Sequence, residues 1–515
     1  MCCHHPNRRE FIGLSAGASL LPVSALSATQ ASNWESDLWN PARPFVNSGR
    51  PLRVKPILMY TVPTPRHQNS WKSWGGVQSD QAAAEEVNRI AGELKSLATQ
   101  AEFPIEVLPP SKVTNAEAAA AARNHDADVT IVYPATGSGQ TLRTLIGKTG
   151  DAIIFLRKRS GPVYYWYEAL STRYLRSERP APPPANPADA PRLSIDDVVV
   201  DDRAELLWRL RALYGVKNFL GSKIIALGGA GGKYAGNAPQ VARERYKLNI
   251  VETGYPDFEK RIRSALKDPK RVSLAEQWTE QYLRLPGTKL DTEKKFVVNA
   301  FVLYGVFKDL MKEHSTNALT INSCMGTIMP MSETTACLTL SFLNDEGLLA
   351  FCESDFVIVP PCMLLRHIAA RPVFLHNSTF PHNGVVTCAH CTGPRRMDAN
   401  RYEPALLVTH YESEYGAAPK VEIPTGQEVS FIDPEFATGR WVGLKGVVEG
   451  NPFYEICRSQ QDVRVLGNWR KLLSEVRDSH WVMVYGDFLK EIGYASSRIG
   501  VTWDNISESS PSVIT

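Results

Sequence analysis

The stretch 319–355, LTINSCMGTIMPMSETTACLTLSFLNDEGLLAFCESD, limits what this chain can fold into more than any other. Two short apolar runs, 319–322 and 348–352, flank a segment 333–344 that lacks Pro and Gly and is closed by Gly347. The pattern reads as strand, helix, strand. A crossover of this length calls for two parallel strands in one sheet, joined with right-handed sense. Ligands of such sheets bind where the carboxyl ends of the strands open toward the next helices. Glu333 falls in the connection after the first strand, where Ser332 can cap the helix. Glu353 and Asp355 fall just past the second strand, so both sets of carboxylates face one edge. Carboxylates gathered there either share a hard cation or divide acid and base work. Carboxylates at helix starts also serve as ordinary caps and dipole partners, a reading that the pattern alone leaves open.

The rest of the chain repeats the alternation and then changes texture. Strands are expected at 54–60, 105–108, 129–133 and 152–156, with helices at 80–100, 115–124 and 142–148 between them. A proline-rich run, 179–187, can continue neither helix nor central strand. After it come a helix at 202–213, strands at 223–227 and 248–252, and helices at 258–266 and 296–313. A further helix is expected to start at Pro361. Beyond residue 371 the runs 405–411, 420–423, 428–432, 441–448 and 463–466 are short and β-branched, separated by Gly, Pro, Asn and Asp. At 515 residues the chain is too long for one core. The expected fold is α/β: two doubly wound parallel-sheet domains, 35–190 and 191–360, followed by a β-rich C-terminal domain, 361–515, built as an antiparallel sheet or barrel.

Several local patterns have competing readings. The turn 136–139 is glycine-rich but contains no dinucleotide fingerprint, and it reads as a tight strand-to-helix turn. The loop 228–233, Gly-Gly-Ala-Gly-Gly-Lys, offers a run of backbone N–H groups to a phosphate. It lacks the Lys-Ser/Thr ending of a phosphate loop, and the alternative is a loop lying over the active edge of the sheet. Of nine Cys, those beyond Cys2 and Cys3 are an odd number scattered from 324 to 457, which is no disulfide framework. The run Cys388-Ala-His390-Cys391 lacks the spacing of a closed zinc site, so these cysteines read as structural.

Residues 1–31 contain Arg8-Arg9 followed by a small-residue apolar run, the pattern of a twin-arginine export signal. That predicts a periplasmic or extracellular mature protein with no membrane span once the signal is removed. A net charge of +3 and the absence of any long basic run argue against nucleic acid as a partner.

The segment 343–355, then Arg371-Pro-Val-Phe, then 388–391, resembles the L-fucose isomerase and related sugar isomerase family. In that family a strand ends in an acidic E-x-D cluster, with a Glu upstream and a His far downstream. Glu333, Asp355 and His480 take those three places, and the segment from Asp478 to Val501 is similar to the family's terminal segment. The resemblance implies an aldose–ketose isomerase that works through an ene-diol, with Glu333 and Asp355 catalytic. It implies that Glu333, Asp355 and His480 hold Mn²⁺ or another divalent cation, and that Glu353 and His390 contact the monosaccharide. It also implies a homo-oligomer, often a hexamer in the family. Two alternatives stay open: an exported carbohydrate-binding protein on the same scaffold without turnover, and a metal-dependent sugar epimerase.

Overall fold

A computed structural model describes residues 39–146, 150–166, 170, 193–475 and 478–507. Residues 1–31, read from the sequence as an export signal, and the proline run 179–187 lie outside the described residues.

The first sheet contains β1 (Leu52–Met59), β2 (Ile105–Val107), β3 (Ser111–Val113), β4 (Val129–Pro134), β5 (Asp151–Leu156) and β6 (Val198–Val200), all parallel. Its helices α1 (Asp80–Gln100), α2 (Ala116–Ala122) and α3 (Gly139–Ile146) follow in the expected alternation. Helix α1 starts where the Ser79 side chain accepts from the Ala82 N–H. It buries Ala83, Glu86, Ile90, Leu94 and Leu97, residues spaced to share one face.

The second sheet follows α4 (Arg203–Phe219). It is built from β7 (Lys223–Leu227), α5 (Ala238–Arg245), β8 (Asn249–Thr253), α6 (Tyr255–Ala265), α7 (Pro269–Leu283), β9 (Thr288–Asp291), α8 (Lys294–Glu313), β10 (Ala318–Ile321), α9 (Ile328–Ser332), α10 (Ala336–Asp345) and β11 (Leu349–Phe351). Its strand order is β11-β10-β7-β8, all parallel, with β9 leaving to pair elsewhere. The crossover β10–α10–β11 has Ala318 opposite Leu349 and Thr320 opposite Phe351, the parallel pairing that the sequence demands.

Two expectations about this region change. Ser332 does not cap the helix: its hydroxyl is buried and donates to the carbonyls of Ile328 and Thr334, and Thr335 stands at the helix start. Helix α11 (Val359–Ala369) begins before Pro361, with both prolines in its first turn, where the missing N–H groups would have had no helical partner. Every residue of α11 is buried.

The last region closes on itself. Strands β12 (Phe374–Ser378) and β13 (Val385–His390) precede β14 (Ala405–His410) and β15 (Tyr415–Val421). Next come β16 (Glu428–Glu435), β17 (Arg440–Gly450), β18 (Ser459–Leu466), α12 (Trp469–Glu475), β19 (His480–Tyr485), α13 (Leu489–Arg498) and β20 (Thr502–Asn505). The antiparallel ring β16-β19-β12-β13-β18-β17 is completed by β16 pairing with β17, which makes a closed barrel. Strand β20 adds to β17 in parallel, and β9, β14 and β15 form a separate small sheet. The barrel is filled by Phe374, Val386, Phe431, Leu444, Val463, Trp481 and Met483, among others. Among the described residues no helix is long and apolar enough to cross a membrane.

Candidate metal centre

The carboxyl end of β11 runs into a turn that ordinary residues rarely adopt. Glu353 and Ser354 both have left-handed backbone, with φ of 66° and 48°. Two successive non-glycine residues there store strain that the surroundings must hold in place, and such strain gathers at functional sites. The restraint comes from the loop after β7. The Gly231 N–H donates to the Ser354 carbonyl at 3.0 Å, the Phe356 N–H donates to the Gly231 carbonyl at 2.9 Å, and the Ser354 hydroxyl donates to the Gly229 carbonyl at 2.8 Å. The glycine run 228–233 is therefore a backbone clamp across the active edge of the sheet.

That clamp fixes Asp355 and delivers Lys233. Asp355 is buried, its Oδ1 accepting from the N–H of Lys233 at 2.9 Å and of Val357 at 3.1 Å. Its Oδ2 lies 2.8 Å from Nδ1 of the fully buried His480, at the start of β19. The other ring nitrogen of His480, Nε2, faces Glu353 Oε2 at 3.3 Å and Lys233 Nζ at 3.5 Å. Glu353 Oε1 lies 3.6 Å from Nε2 of His390, the last residue of β13, whose Nδ1 is 2.9 Å from the Thr392 hydroxyl. Strand β12 stands between β13 and β19, with Asn377 opposite both Ala389 and His480, so the barrel register holds the two imidazoles at one rim. Their ring centroids are 6.4 Å apart.

The electrostatics follow from these contacts. Burial pulls His480 down, but its bonds to Asp355 and Glu353 outweigh that and push it up to about 9. Burial also opposes ionisation of Glu353, yet hydrogen bonds from His390 and His480 hold its carboxyl well below the usual carboxylate range.

The ligand atoms of Glu353, His390 and His480 all lie within 4.8 Å of one another, and so do those of Asp355, Asp478 and His480. The first group fits a divalent cation better. It pairs two imidazoles with one carboxylate, each imidazole carries an outer hydrogen-bond partner on Nδ1, and Glu353 is half-exposed to an open cavity. In the second group the Asp355 oxygens are already engaged by two N–H groups and His480. The Lys233 ammonium, 3.8 Å from Glu353 and 3.5 Å from His480 Nε2, already places one positive charge beside this group. The cavity, about 330 Å³, is also lined by Asn322, Ser323, Glu412 and five cysteines.

Of the residues picked out from sequence, Asp355, His480, Glu353 and His390 come together. Glu333 does not join them. Residues 322–332, including α9, separate it from the end of β10. Its carbonyl accepts from Asn299 of α8 at 3.1 Å, and its exposed side chain has backbone in the left-handed region. Lys233 was visible in the sequence only as the end of a glycine run, and Asp478 only as the first residue of the terminal segment. No protein-family model matches the chain, and no curated protein does either.

Proposed function

We propose that the chain is a metal-dependent aldose–ketose isomerase of the kind its sequence resembles. In this reading Mn²⁺ or a similar divalent cation is held by Glu353, His390 and His480. The observation that carries the reading is the convergence of those three side chains, two of which, Glu353 and His390, line a cavity while His480 lies buried behind them, with Asp355 and Thr392 bonded to the far nitrogens of the imidazoles. A bound cation would polarise adjacent oxygens of a sugar and favour an ene-diolate. The chain's own residues divide the remaining work. Glu353, held strongly ionised, suits ligation more than proton abstraction. Asp355, with its oxygens engaged, positions His480. Glu412, an exposed carboxylate that lines the cavity, is assigned the proton transfer between C1 and C2 in this reading. The Lys233 ammonium can donate to a substrate oxygen.

A second reading is a sugar-binding protein without turnover. It is favoured by Lys233, which already supplies the charge that balances Glu353.

One set of assays separates the two. Metal-depleted protein is titrated with Mn²⁺ by electron paramagnetic resonance, and aldoses are incubated with the loaded protein in D₂O. The isomerase reading expects ketose carrying deuterium at C1, and deuterium at C2 in aldose re-formed by the reverse step. It expects Glu353→Gln to lose Mn²⁺ binding, and Glu412→Gln to keep it while turnover falls by about 10²- to 10⁴-fold. Glu333→Gln should change either quantity by no more than a few-fold. Sugar affinity without exchange at C2 for any aldose would establish the second reading instead.

A further inference from the structure

Five of the seven cysteines among the described residues line the same cavity: Cys324, Cys337, Cys352, Cys391 and Cys457. Three elements far apart in sequence bring part of this set together. Cys337 lies in the first turn of α10, Cys391 follows β13, and His410 ends β14. The ligand atoms of these three lie within 4.8 Å of one another, and all three residues are buried. Cys457, which precedes β18, lines the same cavity and packs against Cys337 and Cys391. Cys337 and Cys391 pack with Ala418 in a small apolar cluster on one side, and on the other they line the cavity together with the imidazole of His410.

We infer that Cys337, Cys391 and His410, with Cys457 as the fourth ligand, form a thiolate-rich site for a soft d¹⁰ cation, Zn²⁺ in the first instance. It is separate from the oxygen–nitrogen site at Glu353. Zinc takes thiolate sulfur at about 2.3 Å and imidazole nitrogen at about 2.0–2.1 Å in tetrahedral array. Such an array sets its donor atoms roughly 3.5–3.8 Å apart, inside the 4.8 Å span of Cys337, Cys391 and His410, and Cys457 would close in on binding. Ligand softness divides the two sites: carboxylate and imidazole suit Mn²⁺, and thiolates select zinc. The adjacent residues His390 and Cys391 each serve one site, so a single strand end connects the two. Binding displaces the thiol protons to solvent and involves no change of oxidation state.

Cobalt reports on this site without any need for turnover. Metal-depleted full-length protein, kept reduced under argon, is titrated with Co²⁺ and read for sulfur-to-cobalt charge transfer in the near ultraviolet. Zinc affinity is then measured against a chromophoric chelator. The parent should show the band, and zinc should abolish it. Cys337→Ser and Cys391→Ser should each remove the band and weaken zinc by about 100-fold or more, and Cys457→Ser should reduce it. Glu353→Gln should keep the band even where Mn²⁺ binding is lost, so failure of the isomerase reading would leave this result standing. Cys388→Ser, altered in the barrel core, controls for general loss of packing. Circular dichroism confirms that each variant is folded. No band in the reduced parent, or a band that survives Cys391→Ser in folded protein, would overturn the assignment.

Discussion

Glu491 illustrates how a buried residue far from the cavity ties stability to pH. It lies on α13 facing Arg211 of α4, with its carboxylate 3.9 Å from the guanidinium. Burial pushes its carboxyl up to about 7 from the ordinary 4.5, against the pull of Arg211. An acid whose folded value is raised stabilises the fold fully below its unfolded value, and that contribution is lost as pH rises through the folded value. The window here runs from about 4.5 to about 7, and the shift corresponds to about 3 kcal/mol. Glu491→Gln should therefore gain on the parent between pH 4 and pH 8, measured by urea unfolding at both values. An unchanging difference would rule out Glu491 as the titrating group. The same scale shows what the sequence could reveal about the site. Asp355 and Glu353 were legible because a strand end announces itself, and His480 because an apolar run follows it. The roles were not legible. Whether Asp355 faces a cavity or supports an imidazole depends on the N–H groups of Lys233 and Val357, which spacing does not encode.

Helix α4 and helix α11 meet at Gly215, where an added Cβ would come within 2.3 Å of Ile368 Cγ1. The close approach lets the wholly buried α11 lie flat against its neighbour. Gly215→Ala should cost about 1–3 kcal/mol through overpacking. Ile368→Val should recover part of that loss in the double variant, a non-additivity read from urea midpoints. Additive losses would mean that the two residues do not press on each other. Most elements of the parallel sheets were legible, because alternation and caps such as Ser79 act locally. Strands β12 and β13 were not. His376 and Asn377 interrupt the first, and Cys388 and His390 give the second the look of a loop motif, although both are central strands of the barrel. Helix α7 was also missed, since its apolar spacing is diluted by Lys, Arg, Glu and Gln.

Across the whole molecule the site joins layers of different origin: Lys233 and Glu353 from the second parallel sheet, His390 and His480 from the barrel. A cation bound only by the folded form adds RT ln(1 + [L]/Kd), about 2.7 kcal/mol at a hundred times Kd. Mn²⁺ should raise the melting temperature of the parent and leave that of His480→Ala unchanged. An equal rise in both would place the ion elsewhere. The proposed thiol site was hidden from the sequence for the same reason: Cys337, Cys391 and His410 arrive from a helix and two strand ends, and only the fold makes them neighbours. The barrel has no margin in its ring, and the marginal strands are short, three residues in β2, β3, β6 and β11, four in β9 and β20 and five in β8, while the longer β15 is buried. Another chain finds little exposed backbone on which to add a strand. Crowded or partly heated solutions of this protein should resist fibrous aggregation, and copies that associate must do so through side chains such as Trp74, Tyr165 and Tyr234, which stand exposed on its surface.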